Sequence, residues 1–331
     1  MSTMSGAHDL VVVGASAGGV EALTRLVAGL PQSIDASIVV VLHMPPDTPS
    51  QLAAILGRAG ALPAFQVDSR RAIEPGHIFV APPNRHLVVD DGHLDLETGP
   101  RENSARPAID VLFRSAARAY GRRVVGIILS GVLHDGALGL AAIKMRGGIT
   151  IVQDPEDALF AGMPQSALNA SPVDYCVRTN EMPKILLQLT SDGSAGKSPM
   201  AAPLPEGLEP SMHAADEPRH GSAPKQSNAA SGLTCPECHG SLWEVDSSGP
   251  VRFECRVGHT YSVDALLSEQ GKTVEAALWS AVNLLQERAG TFRRLSGSVS
   301  ANLAASLEER AVDSEQHAET LLRLLYRIIG K

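Results

Sequence analysis

A hydroxyl, an imidazole and a carboxylate, each placed where a run of apolar residues gives out, are the side chains of this sequence best suited to chemistry. Ser16 lies in Gly14-Ala15-Ser16-Ala17-Gly18-Gly19, and His43 closes Ser37-Ile38-Val39-Val40-Val41-Leu42-His43. Asp135 follows a third such run, in Ser130-Gly131-Val132-Leu133-His134-Asp135-Gly136. A serine hydroxyl is a weak nucleophile at its own pKa. An imidazole that takes its proton, and a carboxylate that fixes the imidazole tautomer and stabilises the imidazolium, make it an acylating centre. Gly14-x-Ser16-x-Gly18 also matches the nucleophile elbow, in which small neighbours leave the hydroxyl exposed. The chain order Ser, His, Asp departs from the Ser, Asp, His order of α/β-hydrolases and disfavours that family. His134 and His86 are alternative bases, and each residue taken singly also reads as a helix cap or a core histidine. The coincidence at three strand ends favours the triad. The same turn is able to cradle a phosphate, but the dinucleotide fingerprint requires glycine where this chain has Ser16.

A second reactive set lies late in the chain. Cys235-Pro236-Glu237-Cys238 and Cys255-Arg256-Val257-Gly258-His259 supply three thiolates and an imidazole at the spacing of a zinc ribbon. Four ligands leave no open position, so the zinc expected here is structural. His239 is a weaker alternative to His259. Residues 242–245 and 251–254 read as the ribbon's hairpin. A unit this small has too little core without metal, so chelation is expected to unfold the region after residue 232 and to spare an active site built elsewhere.

The elements that position these groups follow from the apolar patterning. Residues 10–13, 37–42 and 124–129 are continuous, β-branched runs, as in strands buried on both faces of a parallel sheet. Helical spacing resumes after Ser16 with Val20, Leu23, Leu26 and Val27, and after Gly136 with Leu138, Leu140 and Ile143. Such strand-turn-helix junctions face the crevice above the carboxyl ends of the strands. Residues 78–81, 149–153 and 175–177 read as further strands, and Asp91-Gly92 as a type I′ hairpin turn between 87–90 and 93–97. Pro107 is expected to open a helix with Ile109, Leu112, Phe113 and Ala116 inward, residues 161–164 to form a tight turn, and 182–189 a closing helix. The fold class is α/β: a doubly wound, mostly parallel, Rossmann-like sheet, followed by a small zinc ribbon and a C-terminal helical segment.

Composition bounds the rest. The net charge of −8 disfavours a nucleic-acid binder. Neither a transmembrane run nor a signal peptide is apparent, which predicts a cytoplasmic protein that is not membrane-inserted. The expected organisation is a disordered tail over 1–8, a catalytic domain over 9–190, a flexible Ser-, Pro-, Ala- and Gly-rich linker over 191–231, the ribbon over 232–262 and a helical tail over 263–331. The tail reads as helices over 273–295 and 303–329. Leu321, Leu322, Leu324, Leu325, Ile328 and Ile329 make a stripe wider than a lone surface helix needs. Core packing is its first reading, and dimerisation or partner docking its second.

With Ile78-Phe79-Val80-Ala81-Pro82, Arg106-Pro107-Ala108-Ile109-Asp110-Val111-Leu112-Phe113, Asp135-Gly136-Ala137 and Gly162-Met163-Pro164 added to the Ser16 and His43 motifs, residues 9–189 resemble the chemotaxis protein-glutamate methylesterases, the CheB family. The resemblance implies Ser16 as nucleophile, His43 as base and Asp135 as orienting acid, with no cofactor for catalysis. It further implies hydrolysis of glutamate γ-methyl esters, and deamidation of glutamine, on methyl-accepting chemotaxis receptors. Ala17 stands where the family often has threonine, Val132 where a methionine contributes to the oxyanion region, and His134 where asparagine is usual; Met163 joins Ala17 and Val132 in the expected substrate region. Arg106 is a candidate for holding a substrate carboxylate or an acidic receptor face, with a surface ion pair as the equal alternative. The chain starts almost directly at the catalytic strand, where family members commonly carry a receiver domain, which implies no regulation by aspartyl phosphorylation in cis. The rival reading is a non-catalytic signalling adaptor on a degenerate methylesterase fold; retention of all three triad positions argues against it.

Overall fold

In the computed structural model of the chain, residues 8–191, 230–245 and 251–329 are described. The tail expected over 1–8 and the linker expected over 191–231 fall almost wholly outside these residues. Of the tail, His8 is described and is buried, with its backbone N–H on the Leu189 carbonyl. The chain divides into two compact units, Met1–Ala265 and Leu266–Lys331.

The first unit is built on a sheet whose central strands alternate their side chains between two helical layers. β1 (Leu10–Ala15) and β2 (Ser37–Leu42) are buried along their whole length. Val11, Val13 and Ala15 pack with α1 (Gly19–Ala28), α2 (Leu52–Ala59) and α6 (Met182–Ser191) on one face. Leu10 and Val12 pack with α3 (Ile109–Tyr120), α4 (Ala137–Met145) and α5 (Gly162–Ala170) on the other. This period-two division is why the runs are apolar on both faces beyond Ser37 at the start of β2. The next strands along the chain are β3 (Ala64–Gln66), β4 (Arg71–Ala72), β5 (Ile78–Val80), β6 (His86–Asp90), β7 (His93–Glu97), β8 (Val124–Ile128), β9 (Ile149–Gln153) and β10 (Tyr175–Val177). Five of these strands join β1 and β2 in one seven-stranded sheet in the order β10-β9-β8-β1-β2-β5-β3, parallel at every pairing. The winding direction reverses beside β1, which opens a crevice at its carboxyl end. Ala15 lies opposite Leu42 and Gly14 opposite Ile128, so β1, β2 and β8 end level with one another. β6 and β7 form the expected hairpin with Asp91 and Gly92 both at positive φ, and β4 adds to its edge.

Three expectations about local structure are corrected. Residues 161–164 are not a tight turn: they open α5, in which Pro164 occupies the first turn, where its missing N–H has no intrahelical partner to lose. Pro107 precedes α3 rather than opening it, and Ala108 is the N-cap. The helix expected from residue 273 begins ten residues earlier, as α7 (Val263–Ser296).

The cysteine-rich residues form an antiparallel sheet of β11 (Ala230–Thr234), β12 (Ser241–Val245), β13 (Arg252–Cys255) and β14 (Thr260–Ser262), within the first unit. The second unit is helical, comprising most of α7 and all of α8 (Ala301–Ile329). The two helices are joined by Arg293 with Glu308 and Glu315, and by the Arg310 guanidinium 4.5 Å over the Phe292 ring. No helix among the described residues is long and apolar enough to cross a membrane.

Candidate active site

Ser16 is the first residue beyond β1. Its N–H donates to the Ser130 carbonyl at 2.9 Å, and its own carbonyl accepts from Gly19 N–H at 2.8 Å, which closes a tight turn into α1. Gly18 has φ +72°, and a Cβ there would lie 2.7 Å from Ser130 Oγ and 2.9 Å from Leu159 Cβ, so only glycine fits this turn. Ser130 Oγ donates to the Ala17 carbonyl at 2.8 Å and accepts from Phe160 N–H at 2.9 Å, tying the serine turn to the loops after β8 and β9. Among the described residues Ala17 N–H and Gly18 N–H have no acceptor, and both lie at the positive end of α1.

His43 is the first residue beyond β2, with its N–H on the Ala15 carbonyl at 3.1 Å. Its Nε2 lies 2.8 Å from Asp135 Oδ2. A carboxylate only accepts, so Nε2 carries the proton and Nδ1 is the free lone pair. No hydrogen bond joins His43 to Ser16 among the described residues; such contacts commonly tighten when substrate binds.

Asp135 is buried and saturated. Oδ2 accepts from His43 and from Ile109 N–H at 2.6 Å, and Oδ1 accepts from Asn103 Nδ2 at 3.0 Å and Asp110 N–H at 3.2 Å. Asp135 thus caps α3, a helix whose own N-cap, Ala108, has no side chain able to do so. Burial works to raise its pKa, and the bond and electrostatic attraction of His43 and the donors from Ile109 and Asn103 together outweigh it, so Asp135 is held below the usual carboxylate range. A second buried carboxyl, Asp110, accepts from Asn103 Nδ2 at 2.9 Å and Gly139 N–H at 2.5 Å. Burial, then the charges of Asp135 and Glu102, push Asp110 up to about 8. The negative charge beneath His43 therefore resides on Asp135.

Ser16 and His43 thus follow the level ends of the adjacent strands β1 and β2, and Asp135, buried in the loop after β8, is bonded to His43. The alternative bases are committed elsewhere: His134 Nδ1 is 2.6 Å from Ser166 Oγ, while His86 accepts Ala108 N–H on Nδ1 and donates from Nε2 to the Pro100 carbonyl. Met163 is buried, and its N–H is used by the Gly131 carbonyl. Its sulfur fills the space beside Gly131, where a Cβ would come within 2.0 Å of Sδ and 3.0 Å of Ser16 Cβ. Val132 is 53% exposed at the rim. Arg106 forms no surface ion pair among the described residues. Its guanidinium is held by Asn84 Oδ1 at 2.7 and 3.0 Å and by the Gly99 carbonyl at 2.7 Å, neutral acceptors that leave its charge uncompensated.

Two residues bonded to Asp135 carry no role in the sequence-based expectations, Asn103 and Asp110. Asp110 was detectable, since helical spacing puts it on the same face as Phe113 and Ala117, where a carboxyl is out of place. Asn103 carries no such signal, lying in a polar, aperiodic stretch with φ +50°.

The four metal-ligand candidates also converge. Cys235, Cys238, Cys255 and His259 present ligand atoms that all lie within 4.8 Å of one another. Cys238 and Cys255 Sγ are 3.5 Å apart, too far for a disulfide, and His259 Nδ1 is 3.5 Å from Cys255 Sγ and 3.7 Å from Cys235 Sγ. The edges of a tetrahedron around zinc are roughly 3.5–3.8 Å for these atom types, so these three distances are compatible with the ion. His259 Nε2 faces Glu237 at 3.5 Å, the carboxylate partner that commonly orients a metal-binding imidazole. His239 lies outside the group.

A family model described as CheB methylesterase matches residues 11–186. A relative from Leptospira interrogans is 36% identical over 183 residues, covering 55% of this chain and 95% of that protein. The protein-glutamate methylesterase/protein-glutamine glutaminase 2 of Anaeromyxobacter dehalogenans is 37% identical over 182 residues, 55% of this chain and 53% of that protein, so the match spans about half of that relative. Among solved structures, the crystal structure of the Thermotoga maritima CheB methylesterase catalytic domain is similar with a TM-score of 0.53 and 32% identity, covering 55% of this chain and 98% of that one.

Proposed function

The chain belongs to the CheB methylesterase family, and on that premise we propose that it is a protein-glutamate methylesterase, with glutamine deamidation as a second activity, acting through Ser16, His43 and Asp135. The observation that carries this reading is the 2.8 Å bond from His43 Nε2 to a buried, ionised Asp135 at the strand end next to Ser16. His43 Nδ1 takes the Ser16 proton as Oγ bonds to the γ-carbonyl carbon. The developing oxyanion is met by the N–H groups of Ala17 and Gly18, with Val132 N–H across the crevice; one such donor contributes roughly 3 kcal/mol to transition-state stabilisation. The C–O bond to the methoxy group then breaks, His43 returns the proton, and methanol leaves. Water activated by His43 hydrolyses the acyl-enzyme to glutamate and free Ser16. With a glutamine the leaving group is ammonia.

Methyl-accepting chemotaxis receptors are the substrates this reading names, and the cytoplasm is the compartment. Arg106, charged and without a carboxylate partner among the described residues, is suited to an acidic receptor face. The layout goes with it: catalytic domain over 9–190, a structural zinc ribbon over 232–262 and a helical segment over 263–331. Zinc would be held by Cys235, Cys238, Cys255 and His259, where it supplies cross-linking and no chemistry. Self-association through the helical segment is part of the proposal: Leu325 is buried, but Leu324 and Ile328 on the same stripe are exposed. A monomer that is independent of concentration in sedimentation velocity removes that part.

The test is fluorophosphonate labelling together with methanol release from methylated receptors. Wild type is expected to label once, at Ser16, and Ser16→Ala and His43→Ala to lose both label and methanol. A folded wild type that takes no label supports the adaptor instead.

A further inference from the structure

Asn103 joins two parts of the molecule that the sequence separates by more than a hundred residues. On one side, its two amide hydrogens go to Asp110 Oδ2 at 2.9 Å and Asp135 Oδ1 at 3.0 Å. On the other, its Oδ1 accepts from the backbone N–H of Ser262 in β14 at 3.0 Å. Two carboxyls on one side and a backbone N–H on the other leave a single orientation of the amide that satisfies all three bonds. Asn103 is 5% exposed, so water does not replace a lost partner cheaply.

The backbone repeats the connection. Asn103 N–H donates to the Thr260 carbonyl at 2.8 Å, and Glu102 pairs with Thr260 as an isolated parallel bridge. Arg252 of β13 acts electrostatically on buried Glu102, which also holds a two-pronged bond to Arg114 at 2.5 and 2.7 Å. Thr260 is the residue immediately after the ligand His259. The strand that grips Asn103 is therefore continuous with the ligand cluster. Without that cluster closed, the small sheet has little to hold its shape: among its described residues, Cys235, Leu242, Cys255 and Tyr261 are the fully buried apolar ones.

We propose that the Cys235–Cys238–Cys255–His259 sheet, when it holds zinc, clamps the 100–104 loop through β14 and so orients Asp135 by way of Asn103. Asn103 is a positioning residue, and the metal centre sets the competence of an active site that it does not touch. The inference rests on the esterase and zinc readings above, and it reverses the sequence-based expectation that chelation leaves the esterase intact.

The test uses the full chain with and without zinc, and a fluorophosphonate that reports acylation of Ser16. Zinc loss is followed by metal analysis and by amide exchange over residues 230–262. Once exchange shows the sheet open, labelling is expected to slow about tenfold or more, the effect of losing one hydrogen bond to a charged group, and to recover when zinc is restored. Asn103→Ala and Asn103→Asp in zinc-loaded protein slow it by a similar factor. In each case the acid limb of the labelling profile moves to higher pH, because Asp135 has lost a donor to its charged form. Chelating Asn103→Ala gives no further slowing, since the link is already cut. Circular dichroism separates lost positioning from lost fold, and if the variants do not fold, the chelation arm decides alone.

Chelated protein that labels at the zinc-loaded rate with its sheet open overturns the inference, as does equal slowing by chelation in wild type and Asn103→Ala. Zinc-loaded protein that takes no label removes the esterase reading, and a chain that binds no zinc removes the metal reading, each taking the inference with it. Both are distinct from zinc and labelling that are present but uncoupled.

Discussion

Two carboxyls lie buried within reach of Asn103, and the donors around them decide which one is ionised. Asp135 collects four donors, including His43; Asp110 collects two and sits in the field of Asp135 and Glu102. The Asp110 value of about 8 lies above its ordinary 3.8, so the folded chain keeps a proton that the unfolded chain releases. Its contribution to stability therefore falls as pH rises from 3.8 toward about 8. Asp135 has the opposite sign: its depressed pKa stabilises the fold above the ordinary carboxylate range, and that stability is lost in acid. Asp110→Asn, which cannot ionise, is expected to gain stability relative to wild type between pH 5 and pH 8, by about one to a few kcal/mol. Urea unfolding of both proteins at the two pH values checks this, and a pH-independent difference sinks it.

At the scale of elements, the Ser16 turn depends on glycine more strictly than the elbow pattern requires. Gly18 combines positive φ with a neighbourhood that has no room for a Cβ, and its neighbours Ser130 and Leu159 come from the loops after β8 and β9. Gly18→Ala is expected to cost about 1–3 kcal/mol and to slow Ser16 labelling, because relieving the clash moves the turn away from Ser130. Denaturant unfolding and labelling rate report the two effects separately. A variant with wild-type stability and rate contradicts this account of the turn. α3 matters at the same scale: its first two N–H groups are satisfied by Asp135 from another loop, so the helix start and the Asp135 carboxylate hold each other in place.

For the whole molecule, the cysteine-rich sheet shares a compact unit with the α/β sheet, while most of the two long helices form the other. One zinc per chain is expected in the purified protein. Chelation is expected to lower the melting temperature of the first unit, since a site that exists only in the folded state contributes its binding free energy to folding. Metal analysis and calorimetry measure both, and an unchanged melting curve after zinc removal excludes a structural role.

Local signals determined a good deal. The β-branched runs specified three buried parallel strands because burial on both faces removes the polar alternation of a half-buried strand, and Ser16 and His43 follow directly from where two of them end. The Cys and His spacing marked four side chains that come together in the fold, because the tight turns between them are themselves local. Tertiary structure alone decided what surrounds these groups. Asp135 was legible as a residue at a strand end, but its role as the cap of α3 depends on a helix more than twenty residues upstream. Asn103 was not legible, since its three partners come from α3, the loop after β8 and β14, and no periodicity in one stretch of chain encodes a contact among three others.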